Sequence, residues 1–397
     1  MSTTVGEYLE RQARFAKRLA ATGLAGGLVV SRGGGTYDRS GDVLYLTGHY
    51  QPYVYLPENP PRWSGRSHTA FLIKADGGGA LCVSVKREHG HGPLAADDVR
   101  SGGDFVETVI ATARDLELSR GQVGLVGLDA LPGSLWDRLR AGLPEVVFVQ
   151  ADEELAALRR IKSEAEVELI RAASTMGRRA VTAFLGALKP GVTESEAVSA
   201  AVASVVADGG AVYLATSSSG PWTWSYTTTP LPGYGTRRLE EGDLVRFDLV
   251  SVLAGYFSDF GRTVVVGDPS LAQQRLLDAL HAGLDAAIAA VRPGALARDV
   301  AAAGNAALAE RGVALGLEED GELQAAYPPH WGHGLGLGWE RPWFVEDEDL
   351  VLETGMYLAL ERALTADGVG SAAAEQNLLV LEGGPEVLTE GPEGRWS

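Results

Sequence analysis

The chain is poor in several residues that usually announce chemistry. It has one cysteine, Cys82, which excludes an internal disulfide and any CxxC metal knuckle. Histidine is scarce, seven in 397 residues, with none between positions 92 and 280. No apolar run approaches the roughly 20 residues that cross a bilayer. The opening MSTTVGEYLERQARF carries no apolar signal region either, so a cytoplasmic location is expected and a membrane partner is not. Positive charge is the minority: 34 Lys and Arg stand against 52 Asp and Glu, a net charge of −18. That balance repels a phosphate backbone and makes nucleic acid a poor partner. There is no GxSxG elbow, no HExxH and no Walker-type GxxxxGK.

What is present is ordinary globular material, 45% apolar and 22% charged, over a length that suits two domains. Residues 5–22 have helical periodicity and stop at Gly23. Strand-like pieces follow: GGLVVS, DVLYLTG, HTAFLIK, ALCVSV, GLVGL and VVFVQ, with helical segments expected at 92–118 and 132–142. The proline- and aromatic-rich stretch 51–66 reads as a surface or interface loop. A small α/β domain over 1–152 is expected, then a second domain over 153–397. Within the second, ALKPGVTESEAVSAAVASVVADGG (187–210) matches AVRPGALARDVAAAGNAALAERG (290–312) at a constant offset of 103 residues. In both copies basic-Pro-Gly opens a helix that ends at glycine, the mark of duplication into two α/β halves.

Each half carries a pair of acids on an apolar hairpin. LVRFDLVSVLAGYFSDFGRTVVVG (244–267) places Asp248 and Asp259 symmetrically about a turn near Leu253-Ala254-Gly255, which predicts that they face each other. They are either exposed strand carboxylates or a metal-binding pair. In the second half Glu361 and Glu375 are symmetric about Gly368, in runs where a lone Glu is costly to bury. With His333 they make four carboxylates and one imidazole. Such a set suits two divalent ions roughly 3.5–4 Å apart, clamping attacking and leaving groups. Oxygen-rich ligation fits Mn, Fe, Co or Zn without choosing among them.

These motifs resemble the pita-bread fold of the methionine aminopeptidase, aminopeptidase P, prolidase and creatinase superfamily. The ligand motifs stand in order: DLVSVLAGYFSDFGRT, GHGLG, MYLALE and AEQN. LRRIKSEAEVELIRAAS resembles the helical entry to that domain, and DVLYLTG the smaller N-terminal domain of prolidase and creatinase. The resemblance implies an α/β (α+β) chain: a small N-terminal domain, then a pita-bread domain with an internal pseudo-twofold repeat. It also implies two divalent ions on Asp248, Asp259, His333, Glu361 and Glu375, Glu361 as a proton shuttle, and a homodimer.

The pattern breaks at two histidines. GHGLGLGWERP is one residue short of the family motif and has Trp339 before Glu340, where the family carries histidine. The family's other histidine, just upstream of the first metal strand, is missing from the stretch SSSGPWTWSYTTTPLPGYGTRRLEEGDLV; Tyr234, in PGYGTRR, falls near that position. His330 resembles the family's extra histidine, one position closer than usual. Losing one oxyanion-type donor costs roughly 10²–10³ in rate, so another donor or another substrate is expected. Glu340, Tyr234 and Tyr226 are either substitute donors or packing and ion-pair residues. His330, Trp339, Tyr226, Trp224 and His49 are the candidate substrate contacts. The expected activity is hydrolysis of an amide-like C–N bond in a short peptide, as in Xaa-Pro peptidases, or in a small molecule. A metal-dependent lyase or a non-catalytic binding protein on this scaffold are the alternatives.

Overall fold

The computed structural model describes residues 3–35, 37–54, 56, 65–84, 92–228, 231–316, 321–326 and 329–391; the side chains of 225–228 lie outside that description. The chain divides into two compact units, Met1–Arg159 and Arg160–Ser397. The division falls several residues after the expected 152/153, because α5 (Asp152–Arg160) completes the first unit. No helix among the described residues is long and apolar enough to cross a membrane.

The first unit carries α1 (Val5–Ala21), β1 (Gly26–Arg32), α2 (Gly41–Thr47), β2 (His68–Lys74), β3 (Gly79–Val83), β4 (Asp98–Ser101), α3 (Phe105–Asp115), β5 (Arg120–Val126), α4 (Gly133–Gly142) and β6 (Glu145–Gln150). Its mixed six-stranded sheet runs β4-β3-β2-β1-β5-β6. Two expectations fail here. DVLYLTG is helix α2 rather than a strand: a short apolar run has no periodicity that separates the two. Val43 N–H donates to Ser31 Oγ at 3.1 Å, and Gly48, at φ 74°, closes the helix. The segment 92–118 is not one helix, because β4 pairs with β3 and the helix begins only after Asp104, whose carboxylate caps Val106 and Glu107. Most of the proposed loop at 51–66 lies outside the described residues.

The second unit opens with α6 (Glu164–Ala187) and α7 (Glu194–Ala207), each started by a capping box, Ser163/Glu166 and Thr193/Glu196. Strands β7 (Ala211–Ser219), β8 (Leu244–Leu253) and β9 (Tyr256–Val265) form a three-stranded sheet in that order. The repeat then follows as α8 (Leu271–Ala290) and α9 (Ala297–Glu310), with α9 displaced from α7 by the offset seen in the sequence. The short strands β10 (Val313–Ala314), β11 (Leu323–Ala325), β12 (His333–Leu335) and β13 (Trp339–Trp343) join the long hairpin β14 (Tyr357–Ala366) and β15 (Gly370–Leu381), and β16 (Gly384–Val387) adds to β15.

Alternation along the hairpins decides which residues meet the helices. Val245, Phe247, Leu249 and Phe260 join Phe184 and Val198 in one apolar cluster, where Phe184 and Phe247 stack at 3.9 Å. Leu358, Leu360, Leu364, Ala374 and Leu378 join Leu276, Leu280 and Trp331 in another. Each large side chain buried this way contributes about 1.5–3 kcal/mol. The residues between them, Arg246 and Asp248 on β8 and Glu361 and Glu375 on β14 and β15, therefore share the opposite face of each hairpin.

Side chains stitch β9 to β15. Asn377 is fully buried; its Oδ1 accepts from Asp259 N–H at 3.1 Å, Ser258 Oγ at 3.1 Å and Tyr357 OH at 2.9 Å, and its Nδ2 donates to Asp259 O. Thr263 Oγ donates to Ala373 O at 2.9 Å and accepts from Ala373 N–H at 2.8 Å. Arg262 donates to Glu375 O and, at 2.7 Å, to Thr389 O. Asn377→Leu keeps the volume but strands these backbone groups, and should destabilise the second unit by about 2–4 kcal/mol. Urea unfolding followed by a probe in that unit measures the loss; a change under ~0.5 kcal/mol would mean the seam does not depend on Asn377.

Candidate metal centre

The turn between β8 and β9 has two central residues, Ala254 at φ 52° and Gly255 at φ 93°, so Leu253 pairs with Tyr256. This centre lies one residue beyond the position that would set the two aspartates face to face. Asp259 stands opposite Val250, and Asp248 opposite Gly261. The expected direct opposition is therefore wrong. They are diagonal neighbours on one face, roughly 7 Å apart at the backbone, which long enough side chains or a shared cation can span. Gly261 leaves room beside Asp248, because a Cβ there would lie only 3.6 Å from its Oδ1. In the second half Glu361 and Glu375 are directly paired, on a hairpin that turns at Gly368.

His333 starts β12, where the register shifts between His333 and Gly334. Its Nδ1 is 3.1 Å from Gly334 O, which only accepts, so Nδ1 carries the proton and Nε2 keeps its lone pair. Nε2 is 3.8 Å from Asp259 Oδ2 and 3.9 Å from Glu361 Oε1. Burial drives the imidazole pKa down to about 4, so the ring is neutral and fit to ligate. Potential ligand atoms of Asp259, His333 and Glu375 all lie within 4.8 Å of one another.

The electrostatics call for protons or a cation. Burial first, then the neighbouring carboxylates, pushes Asp259 and Glu375 well above the usual carboxylate range. Glu361, 32% exposed at its side chain, is raised to about 7 by burial and then by Asp248, with Arg246 and Arg362 pulling the other way. Glu375 Oε1 is buried with no hydrogen-bond partner among the described residues. An orphaned buried acceptor beside an unprotonated imidazole nitrogen and three further carboxylates fits a divalent metal centre. Asp248, Asp259, His333, Glu361 and Glu375 are the residues that would hold it.

The other candidate residues scatter. His330 belongs to the cluster: its Nδ1 lies 3.6 Å from Glu361 Oε1 and accepts from Gly332 N–H, and burial lowers its pKa. Trp339 also belongs, as a partner of a carboxylate: its Nε1 donates to Asp259 Oδ2 at 2.9 Å, and its ring meets Tyr213, Phe257 and His333 edge-on. Glu340 is engaged by Lys162, whose Nζ is 3.0 Å from Oε2, in an ion pair closed to solvent. Arg341 turns instead to Glu348 at 2.7 Å. Tyr234 packs against the apolar cluster beneath β8 and β9. Trp224 is 47% exposed, on the turn of helix over 220–228, and the Tyr226 side chain lies outside the described residues. His49 is buried in the first unit, just past α2, with its N–H on Thr47 Oγ. The sequence reading missed Lys162, Arg246 and Asn377. Arg246 was within reach, since two residues before Asp248 on a strand means the same face.

Comparisons place this geometry among known proteins. A model of metallopeptidase family M24 matches residues 168–382. A probable dipeptidase PepE of Mycobacterium tuberculosis is 33% identical over 251 residues, 62% of this chain and 63% of that protein. The match thus spans under two thirds of that relative's own length. The crystal structure of dipeptidase PepE from Mycobacterium ulcerans superposes with TM-score 0.78 at 28% identity, over 99% of this chain and 98% of that one. The prolidase of Pyrococcus horikoshii OT3, at 20% identity and TM-score 0.75 over 96% and 98%, shares the pita-bread fold.

Two outcomes follow from the cluster. Trp339→Phe keeps an aromatic ring but removes the N–H that orients Asp259, and should weaken divalent metal binding roughly 10–100-fold. Chelator competition reads this directly, and unchanged affinity would reduce Trp339 to packing. Metal affinity should also rise with pH. The raised carboxylates hold protons that a metal must displace, and Glu361 releases its own only near pH 7, whereas His333 is already neutral. At least a ~10-fold gain between pH 6 and pH 8 is expected; a flat profile would contradict the shared-proton picture.

Proposed function

From a chain that belongs to metallopeptidase family M24, we propose a hydrolase that uses two divalent ions to cleave an amide-like C–N bond in a short peptide or a small molecule. The observation that carries the reading is the convergence of His333 with four carboxylates that cannot all ionise alone. Mn, Fe, Co and Zn all suit the donor set. Divalent ions held by Asp248, Asp259, His333, Glu361 and Glu375 would supply Lewis acidity toward a carbonyl and toward water. The related proteins named as dipeptidases support a short-peptide substrate. A homodimer in the cytoplasm completes the proposal, on family grounds.

The chain's own residues divide the proton work. Glu361, with its pKa near 7, can take a proton at neutral pH and give it back to a leaving nitrogen. His330, 3.6 Å from Glu361 and neutral, can orient that carboxyl group or share its proton. Trp339 is tied to Asp259, and an indole donates a hydrogen bond without releasing its proton. Glu340 is paired with Lys162 at 3.0 Å and so serves as an anchor rather than a proton donor. Tyr234 has its packing role beneath the hairpin.

With Trp339 in place of a second donor, prolyl amides, whose tertiary amide nitrogen must leave as a basic secondary amine, should be poor substrates. Metal-loaded protein is expected to turn over simple dipeptides or activated small amides faster than Ala-Pro or Gly-Pro, and Glu361→Gln to abolish turnover while the fold persists. Assay against a panel of dipeptides, amides, ureas and lactams decides this. Prolyl turnover at an ordinary ~10 s⁻¹ would show that Trp339 removes nothing the reaction needs.

A further inference from the structure

His330 and His333 both approach Glu361, with Nδ1 of the first 3.6 Å and Nε2 of the second 3.9 Å from its Oε1. Extended backbone alone does not bring them there. Residues three apart on a strand point to opposite faces, so one histidine should turn away from the cluster. The residues between them resolve the conflict. Gly332 takes φ 99°, a conformation that side chains rarely tolerate, and a Cβ on it would also collide with Ala359 O. That bend returns His333 to the side of His330. Trp331 goes the other way, into the helical layer, where it is 1% exposed.

Several directional contacts hold Trp331 there. Its backbone N–H donates to Phe344 O at 2.8 Å, and its carbonyl accepts from Glu361 N–H at 3.3 Å. The indole fills a slot made by two helical glycines: a Cβ at Gly304 of α9 would lie 2.5 Å from the ring, and one at Gly283 of α8 would lie 2.8 Å from it. Indole Nε1 donates to Asn305 Oδ1 at 2.8 Å, and Asn305 Nδ2 donates in turn to Glu346 Oε1 at 3.2 Å. Arg362 sets its guanidinium 5.4 Å from the ring centre and donates from Nη1 to His330 O at 3.0 Å. Leucine would fill such a slot with apolar volume. A buried indole with its N–H satisfied also fixes an orientation.

We propose that Trp331 is a positioning residue for the metal centre: a peg whose seat between α8 and α9 sets where His330 and His333 stand relative to Glu361. The proposal rests on the metal-centre reading above. The Trp331 side chain lies in the helical layer, on the face away from the carboxylates, so its effect passes through the backbone of residues 330–333. Groups that orient a ligating histidine typically matter by about 10–100-fold in metal affinity.

The experiment uses full-length protein labelled with ¹⁵N in histidine, metal-free for spectra and metal-loaded for affinity. Trp331→Phe keeps a ring in the slot but removes the N–H, and Asn305→Leu removes its acceptor. Gly304→Ala pushes on the ring from α9, at a helix position where alanine is otherwise favoured. Wild-type His333 should show the single Nδ1–H tautomer that its contact with Gly334 O requires. Each variant should mix that tautomer and move the His330 signal, while His49 and His68 of the first unit keep theirs. Chelator competition should find divalent metal held about 10-fold more weakly in each. The double variant Trp331→Phe with Asn305→Leu should be no weaker than the worse single, since both cut one bond. Unchanged histidine signals or unchanged metal affinity in Trp331→Phe and Gly304→Ala overturns the proposal. So do losses that add up in the double variant, or variants in which the second unit unfolds, because Trp331 would then be core packing alone. Wild-type protein that takes up no divalent metal fails the metal-centre reading itself, a result told apart because the histidine spectra need no metal.

Discussion

Four carboxylates on one inner surface repel one another, and most of the second unit can be understood as the means of holding them there. Apolar burial does the coarse work: alternate residues of each hairpin are locked into a helical layer, so the acids between them have no second face to turn to. Backbone pairing fixes the rows, and the direct opposition of Glu361 and Glu375 follows from a turn centred on Gly368. Without a cation, burial first and mutual repulsion second make Asp259, Glu361 and Glu375 all bind protons more tightly than free carboxyl groups. A metal centre replaces those protons.

The seam between β9 and β15 is where this repulsion would part the halves, and the polar bonds concentrate there. Asn377 binds both the N–H and the C=O of Asp259, so the backbone of one ligand is clamped by a residue two positions from another, Glu375. Arg262 adds a buried cation whose pKa, lowered to about 10 by burial, still leaves it charged at neutral pH beside Glu375. Stability and site geometry thus depend on the same few groups, so a change at the seam is felt in both.

Much of this was legible before the structure. The duplicated Pro-Gly helices, the two acid-bearing hairpins and the motif around His333 could be read because each obeys a local rule of period or symmetry. The misreadings have physical causes. Asp248 and Asp259 were placed face to face because the turn was centred one residue early, and only the positive φ of Ala254 and Gly255 shows where the chain reverses. DVLYLTG reads as a strand because its apolar run of four, Val43 to Leu46, is too short to show a period, and tertiary contacts choose helix. Lys162 could not be foreseen as the partner of Glu340, since 178 residues separate them and nothing local links them.

The substitution at Trp339 changes what this wall of the site can do. Its single N–H is committed to Asp259, and its ring is fixed edge-on by Tyr213 and Phe257. Around Trp339 the surface is therefore apolar, and its one N–H is already used. Glu340, the next residue, is neutralised by Lys162 and adds no donor. From this side of the cluster the structure sets His330, before β12, against Glu361, with Nδ1 3.6 Å from its Oε1. Binding energy from remote parts of a substrate can orient a reacting carbonyl that receives less help, which is how enzymes offset a weaker contact at the bond being broken.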